Sequence, residues 1–289
     1  MPDLPPELER EIFELAARDN RLPAKHNEYR PLAKHNCEDR LLAKRNCEDR
    51  LALCLVARRV RHWVDLIFFK MVTVLDASEA SRFLRLIQSN LKPPGFFAAV
   101  KILCLTYSRA ASHACGILAA CTQVEYLACW VDFGGHPDFP QLFSQLPLRR
   151  LSMEVTHFLR IPLTPSMWFS KLTHLELVAW HDYDAANLSI LAHLPRLTHV
   201  ALNLGFEGKR EHAAVVCSSC PLLRVLILIV INPLASRALA QDPRIVLQDR
   251  LKDIVGDWEA PYFGLPDMWD RADTIVEEQR ALTNTGNPG

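Results

Sequence analysis

The sequence predicts an α/β chain, with a short helical module leading into a solenoid of strand–helix units built on a parallel sheet. Three observations carry this. An apolar-x-x-apolar-x-apolar pattern begins at Val100, Val124, Leu148, Leu172, Leu197 and Leu223. Subtracting neighbours gives steps of 24, 24, 24, 25 and 26 residues, and a fixed period in the twenties marks repeating strand-plus-helix units. Within each copy the apolar residues alternate, as a half-buried strand demands. Ahead of the repeats, Leu8, Ile12 and Leu15 recur at helical spacing.

The N-terminal module comes first. Asp3 stands near the start of a helix whose early prolines, in Leu4-Pro5-Pro6-Glu7-Leu8, are tolerated in a first turn. A second apolar helix is expected from Leu51 to Val64, through Leu55, Val56, Val60 and Trp63. The two helices are too short to stand alone and need a partner surface. Between them residues 21–50 form a tandem duplication, in which Pro23-Ala24-Lys25-His26-Asn27 returns as Leu32-Ala33-Lys34-His35-Asn36 and Leu42-Ala43-Lys44-Arg45-Asn46. This helix-friendly insert is expected to extend the second helix backwards from Leu51. Its ten-residue step drifts around a 3.6-residue helix and gives no clean apolar stripe. For the same reason His26, His35, Cys37 and Cys47 match no metal motif.

The repeats follow. The predicted core pairs are Leu103 and Leu105, Leu127 and Cys129, Leu151 and Met153, Leu175 and Leu177, Val200 and Leu202, and Leu226 and Leu228. Phe69, Val72 and Val74 fit one step upstream, and Ile245 to Leu247 make a degenerate last strand. Helical stretches are expected over 111–121, 185–194, capped by Asp184, and 209–217. The connection from Thr156 to Ser170 holds Pro162 and Pro165, so it is expected to be irregular or a single turn. Recurrence of strand then helix favours parallel strands. The intervening residues then line the other sheet face. They include Tyr126, Trp130, Arg150, His174, Glu176 and His199, a mixed surface suited to a protein partner. Alternatively the chain's own loops or tail cover that face.

Bulk properties exclude some classes. Lys plus Arg equals Asp plus Glu at 33 each, so net charge gives no argument for nucleic acid or an anionic membrane. The acidic, proline-rich start lacks the order of a signal peptide, and the apolar run from Val225 to Ile231 is too short to span a bilayer. Nine cysteines, an odd number, argue against a disulfide framework and for a cytoplasmic or nuclear chain. Cys217 and Cys220 form a C-x-x-C, yet Cys220-Pro221 occupies the place of Leu146-Pro147 and Leu194-Pro195, which makes Cys220 a small core residue. No catalytic motif is present, so no enzyme, cofactor or metal site is expected. His136-Pro137-Asp138 and His181-Asp182 are isolated pairs without a partnered nucleophile.

Leu4, Pro5, Glu7, Leu8, Ile12 and Phe13, followed by Leu55-Val56-Ala57-Arg58-Arg59-Val60-Arg61-His62-Trp63, resemble F-box proteins. More narrowly, the chain resembles the large F-box-like family of mushroom-forming (basidiomycete) fungi, which carries irregular leucine-rich-type repeats. Asp242-Pro243-Arg244-Ile245-Val246, Asp257-Trp258-Glu259 and Met268-Trp269-Asp270-Arg271-Ala272-Asp273 fit the tail of that family. The resemblance implies an F-box-like module over 1–68, a leucine-rich-repeat-like solenoid over 69–250 and a tail with a capping helix over 251–289. It implies a non-enzymatic substrate-recognition subunit of an SCF-type ubiquitin ligase. Leu4, Pro5, Leu8, Ile12, Leu55 and Val56 would dock on a Skp1-type adaptor, and the repeats would hold a substrate protein. The insert moves the two F-box halves further apart than that pattern has them. Two alternatives stand beside this reading: a scaffold or decayed copy that binds no adaptor, and a hydrolase or transferase acting at the C-terminal edge of the strands.

Overall fold

The computed structural model of the chain describes residues 5–19, 55–56, 58–89, 91–106, 111–133, 136–162, 168, 170–180, 183–203, 210–230 and 242–285. They fall into two units, one of residues 1–71 with 262–265 and one of residues 72–261 with 266–289. Leu4, the duplicated insert and the expected extension from Leu51 lie outside the described residues.

The first unit is a helix pair. Pro6 opens α1 (Pro6–Asp19), with Glu7 and Glu9 in a first turn that favours acidic side chains. In α2 (Arg58–Phe68), Val60, Val64 and Ile67 lie on one face and are buried against Phe13, Trp63 and Phe68. Arg59 clamps Glu9 with two hydrogen bonds, Nε to Oε2 at 3.0 Å and Nη2 to Oε1 at 2.7 Å. Tyr262 returns from far along the chain and donates its hydroxyl to the Ile67 carbonyl at 2.9 Å.

The second unit is an eight-stranded sheet whose strands lie in sequence order, an α/β architecture. Its strands are β1 (Met71–Val74), β2 (Ile102–Leu105), β3 (Tyr126–Cys129), β4 (Arg150–Glu154), β5 (His174–Val178), β6 (His199–Asn203), β7 (Val225–Val230) and β8 (Ile245–Asp249). From β2 to β8 every neighbouring pair is parallel. Sequence-adjacent strands can be parallel neighbours only if the chain returns between them, and the connecting helices provide the return. These are α3 (Ala77–Gln88), α4 (Ala111–Ala120), α5 (Phe139–Ser144), α6 (Val155–Leu159), a 3-10 helix over Ala185–His193 and α7 (Arg210–Ser219).

The repeat pattern has a direct counterpart in the register. Leu103, Leu127, Leu151, Leu175, Val200 and Leu226 are pairing partners across β2 to β7, and so are Leu105, Cys129, Met153, Leu177, Leu202 and Leu228. All twelve are buried, as are Val100, Val124, Leu148, Leu172, Leu197 and Leu223 at the repeat starts. One apolar column from the strand face and one from the preceding turn therefore fill the layer between sheet and helices. Gly116 on α4 allows close packing against α3, since a Cβ there would come within 2.9 Å of Leu84.

Local capping matches expectation. Asp184 accepts from Ala186 N at 2.9 Å, although the element it starts is 3-10 rather than α. Asp76 caps α3 by accepting from Glu79 N, while the Glu79 carboxylate accepts from Leu75 N, each at 2.8 Å. Among its described residues the proline-bearing connection holds the five-residue α6 and no other helix, and the degenerate last strand is the full β8.

The expected open face of the sheet is where the architecture departs from the sequence reading. The C-terminal segment, α8 (Ile254–Glu259), a 3-10 turn and α9 (Met268–Thr285), returns to the sheet. Met268, Trp269, Ala272 and Val276 of α9 share a buried cluster with Ala201, Val225, Ile227, Ile229 and Val246 on the face away from the repeat core. The expected capping helix therefore covers a face, and both sides of β6 and β7 are buried.

Candidate functional site

On the face met by the C-terminal segment, Arg150 of β4 pairs with His174 of β5, and His174 with His199 of β6. One residue pair along, Ser152 faces Glu176. These positions share a face because strand side chains alternate with period two. The segment answers two of these polar groups, Arg150 and His199. Asp267 pairs with Arg150 through an Nη2–Oδ2 contact, with the two side chains 2% and 14% exposed respectively. The Arg150 guanidinium also lies 5.5 Å from the Tyr126 ring centre and 5.7 Å from that of Trp258. His199 donates from Nε2 to both Asp273 oxygens at 3.2 Å. The rings of His174 and His199 stack at 4.2 Å, and Trp269 meets both edge-on.

The electrostatics follow from this burial. Desolvation pushes His174 down to about 2 and lowers His199 despite its Asp273 partner, so both are neutral imidazoles near pH 7. Glu176 accepts from Ser152 Oγ at 2.6 Å, and Ser152 in turn accepts from Trp130 Nε1 at 2.8 Å. The second Glu176 oxygen is buried without a partner. Burial raises this carboxyl to about 7; the Ser152 bond opposes the shift, and the Asp257 charge adds to it. A raised carboxyl binds its proton more tightly in the folded chain, so its stabilising contribution is full below 4.5 and is lost as pH rises through 7. Glu176→Gln is therefore expected to gain on the wild type, on the order of 2 kcal/mol, between pH 5 and pH 8. Urea titrations at the two pH values check this, and an unchanged gap between the proteins would contradict it.

The predicted substrate-face residues thus divide. Glu176 and His199 are buried and Arg150 is nearly so, whereas Tyr126, Trp130 and His174 keep partial exposure. Covering by the chain's own tail describes this face from β4 to β8. Sequence reasoning missed Asp267 altogether and named Trp258, Trp269 and Asp273 only as part of the tail, not as partners of this face. The one signal for them was the tail helix pattern of Met268, Trp269, Ala272 and Val276.

The predicted adaptor residues that are described, Pro5, Leu8, Ile12, Leu55 and Val56, lie at the surface of the first unit. Leu8, Ile12 and Leu15 are 49%, 51% and 50% exposed, and Leu55 and Val56 are 86% and 60% exposed. At about 100° per residue the three α1 side chains form one stripe, with Phe13 turned to the flank that packs on α2. Pro5 is exposed as well.

The remaining candidates carry no assembled chemistry. Cys115 Sγ lies 3.5 Å from His136 Nδ1, but burial pushes that thiol up to about 11, the reverse of an activated nucleophile. Cys220 is 1% exposed, and both Cys217 and Cys220 are free thiols. His181 and Asp182 lie outside the described residues. Among the described residues no group of three or more His, Cys, Asp or Glu side chains is placed to hold a metal, and no helix is long and apolar enough to cross a membrane. Neither a protein-family model nor a curated protein matches the chain.

Proposed function

We propose that the chain is a non-enzymatic substrate-recognition subunit of an SCF-type ubiquitin ligase, with an F-box-like helix pair docking on a Skp1-type adaptor. One observation supports this above the others. Leu8, Ile12 and Leu15 form an apolar stripe half open to solvent on α1, beside a small core that already satisfies the opposite flank. Helices with a free apolar stripe bind a partner by burying it, and a few central side chains dominate the energy. Leu55 and Val56 add exposed apolar surface in the same unit. The leucine-rich-repeat-like solenoid then carries the substrate, with Tyr126 and Trp130 as its accessible aromatics.

A direct binding assay with purified full-length chain and a Skp1-type adaptor tests this. Leu8→Asp with Ile12→Asp is expected to weaken binding at least 100-fold, because unpaired carboxylates would enter an apolar interface. Both positions are half exposed, so circular dichroism should be unchanged. Deleting residues 30–49, two units of the duplication, should leave binding intact. Absence of binding by the intact chain, or equal binding by the double variant, would overturn the reading.

A further inference from the structure

The equal totals of 33 cationic and 33 anionic side chains conceal a polarised sheet. Strands that run parallel place all their N-terminal ends along one edge and all their C-terminal ends along the other. From β4 to β7 every strand is preceded within three residues by an exposed basic side chain: Arg149, Lys171, Arg196 and Arg224. Lys70, exposed, precedes β1, and the half-buried Lys101 and Arg244 precede β2 and β8, while acids stand before β3, at Glu125, and before β8, at Asp242. At the other edge the exposed charges after β1, β3 and β5 are acidic, namely Asp76, Asp132, Asp138 and Asp184, whereas Arg160 follows β4 and Arg250 and Lys252 follow β8.

The basic edge is only partly neutralised. Glu125 serves Lys101 at 3.4 Å and Arg149 at 3.2 Å, and Asp242 serves Arg244 at 2.6 Å. Arg224 reaches Asp273 only at 4.0 Å, while that carboxylate is already bound by His199. Lys171 and Arg196 are exposed and enter no ion pair among the described residues. A further cation arrives from α9, where Arg280 Nη2 donates to the Arg224 carbonyl at 3.3 Å. Basic side chains near helix C-termini are favoured by the helix dipole, which accounts for single residues. It does not account for the lack of acidic partners at Lys171 and Arg196.

We propose that the N-terminal edge of β4 to β7 is a docking surface for an acidic segment of a protein partner. This names the substrate class for the receptor reading and rests on it for its biological meaning. Strands spaced about 4.8 Å apart put the four basic positions across about 15 Å, the length of about five residues of extended peptide. A short run of aspartate or glutamate therefore meets all four. The edge suits nucleic acid less well. Binders of single strands combine cations with exposed stacking aromatics, and the rings that start β3, β5 and β6, Tyr126, His174 and His199, are partly or fully buried, with Arg150 over the first and Trp269 against the other two.

Fluorescence anisotropy of labelled hexa-aspartate on the full-length protein tests the assignment, with no adaptor present, so its outcome is independent of adaptor docking. Binding is expected near 50 mM salt and should weaken about tenfold or more by 300 mM, as exposed charges are screened. Lys171→Glu with Arg196→Glu should weaken it at least tenfold with an unchanged melting temperature, since neither side chain has an ion-pair partner among the described residues. Lys171→Gln with Arg196→Gln serves if the reversal disturbs folding, and Asp132→Asn at the opposite edge should have no effect. No binding at low salt, or equal binding by the variants, overturns the proposal. Tighter binding of hexathymidylate or of anionic lipid vesicles than of the peptide overturns it as well, in favour of those ligands.

Discussion

Asp267→Ala is expected to cost about 4 kcal/mol in a urea titration, because one carboxylate holds two structures together. Its Oδ1 accepts from the Trp269 and Asp270 backbone amides at 2.9 and 3.1 Å, and the Asp270 carboxylate in turn accepts from Asp267 N at 3.0 Å. This is a reciprocal cap on α9, and losing such a cap costs about 1 kcal/mol. The other oxygen meets Arg150, whose Nε is already buried without a partner. Removing one member of a buried pair leaves an uncompensated charge and costs about 3–5 kcal/mol. Asp267→Asn keeps the cap and loses the charge, so it should cost less than the alanine variant. Arg150→Met in the Asp267→Ala background should recover part of the loss, because it removes the stranded cation. A loss below about 1 kcal/mol for Asp267→Ala would show that the segment does not depend on this contact.

The sheet interior was legible because each strand repeats a local rule. Leu151 and Met153 sit two apart and 24 residues from their partners on β3 and β5, so spacing alone fixes both face and register. Cys220 was legible as core in the same way, through its place before a strand. What covers the second face was not legible, because period two reports alternation and not the identity of the cover. Arg150 and His199 are polar and alternate with core residues, which reads equally as open surface. Their mates, Asp267 and Asp273, lie 117 and 74 residues away, and pairing over that distance leaves no local period. A clue existed in β7, where Val225, Ile227 and Ile229 are apolar on the side opposite Leu226 and Leu228. A strand apolar on both faces is a strand buried on both faces. In the first unit, spacing gave α1 its helix but not its packing. Phe13 lies inside and Leu8, Ile12 and Leu15 lie outside, a division set by α2 from some fifty residues further along the chain.

Leu175→Ala is expected to cost about 2–5 kcal/mol, and its neighbour His174→Ala about 1 kcal/mol. Leu175 is fully buried between Leu151 and Val200 in the column that faces the helices, so truncation removes transfer energy and leaves a cavity. Were His174 on an open face, its removal would cost almost nothing. Instead its ring stacks on His199 and meets the edge of Trp269, and aromatic contacts of that kind contribute about 0.5–1.5 kcal/mol. The two variants also separate by pH. His174 is held neutral by burial, with its pKa pushed from 6.5 to about 2, so only the unfolded chain takes up its proton in that range. The folded state then loses stability as pH falls below 6.5, by up to about 1 kcal/mol per unit from this residue. His174→Ala removes that loss, so its deficit should shrink and then reverse as pH falls from 7 towards 5. The Leu175→Ala deficit should stay constant over the same range. Denaturant titrations of both variants at pH 7, 6 and 5 check the contrast. Parallel behaviour of the two would mean that His174 does not lie beneath the C-terminal segment.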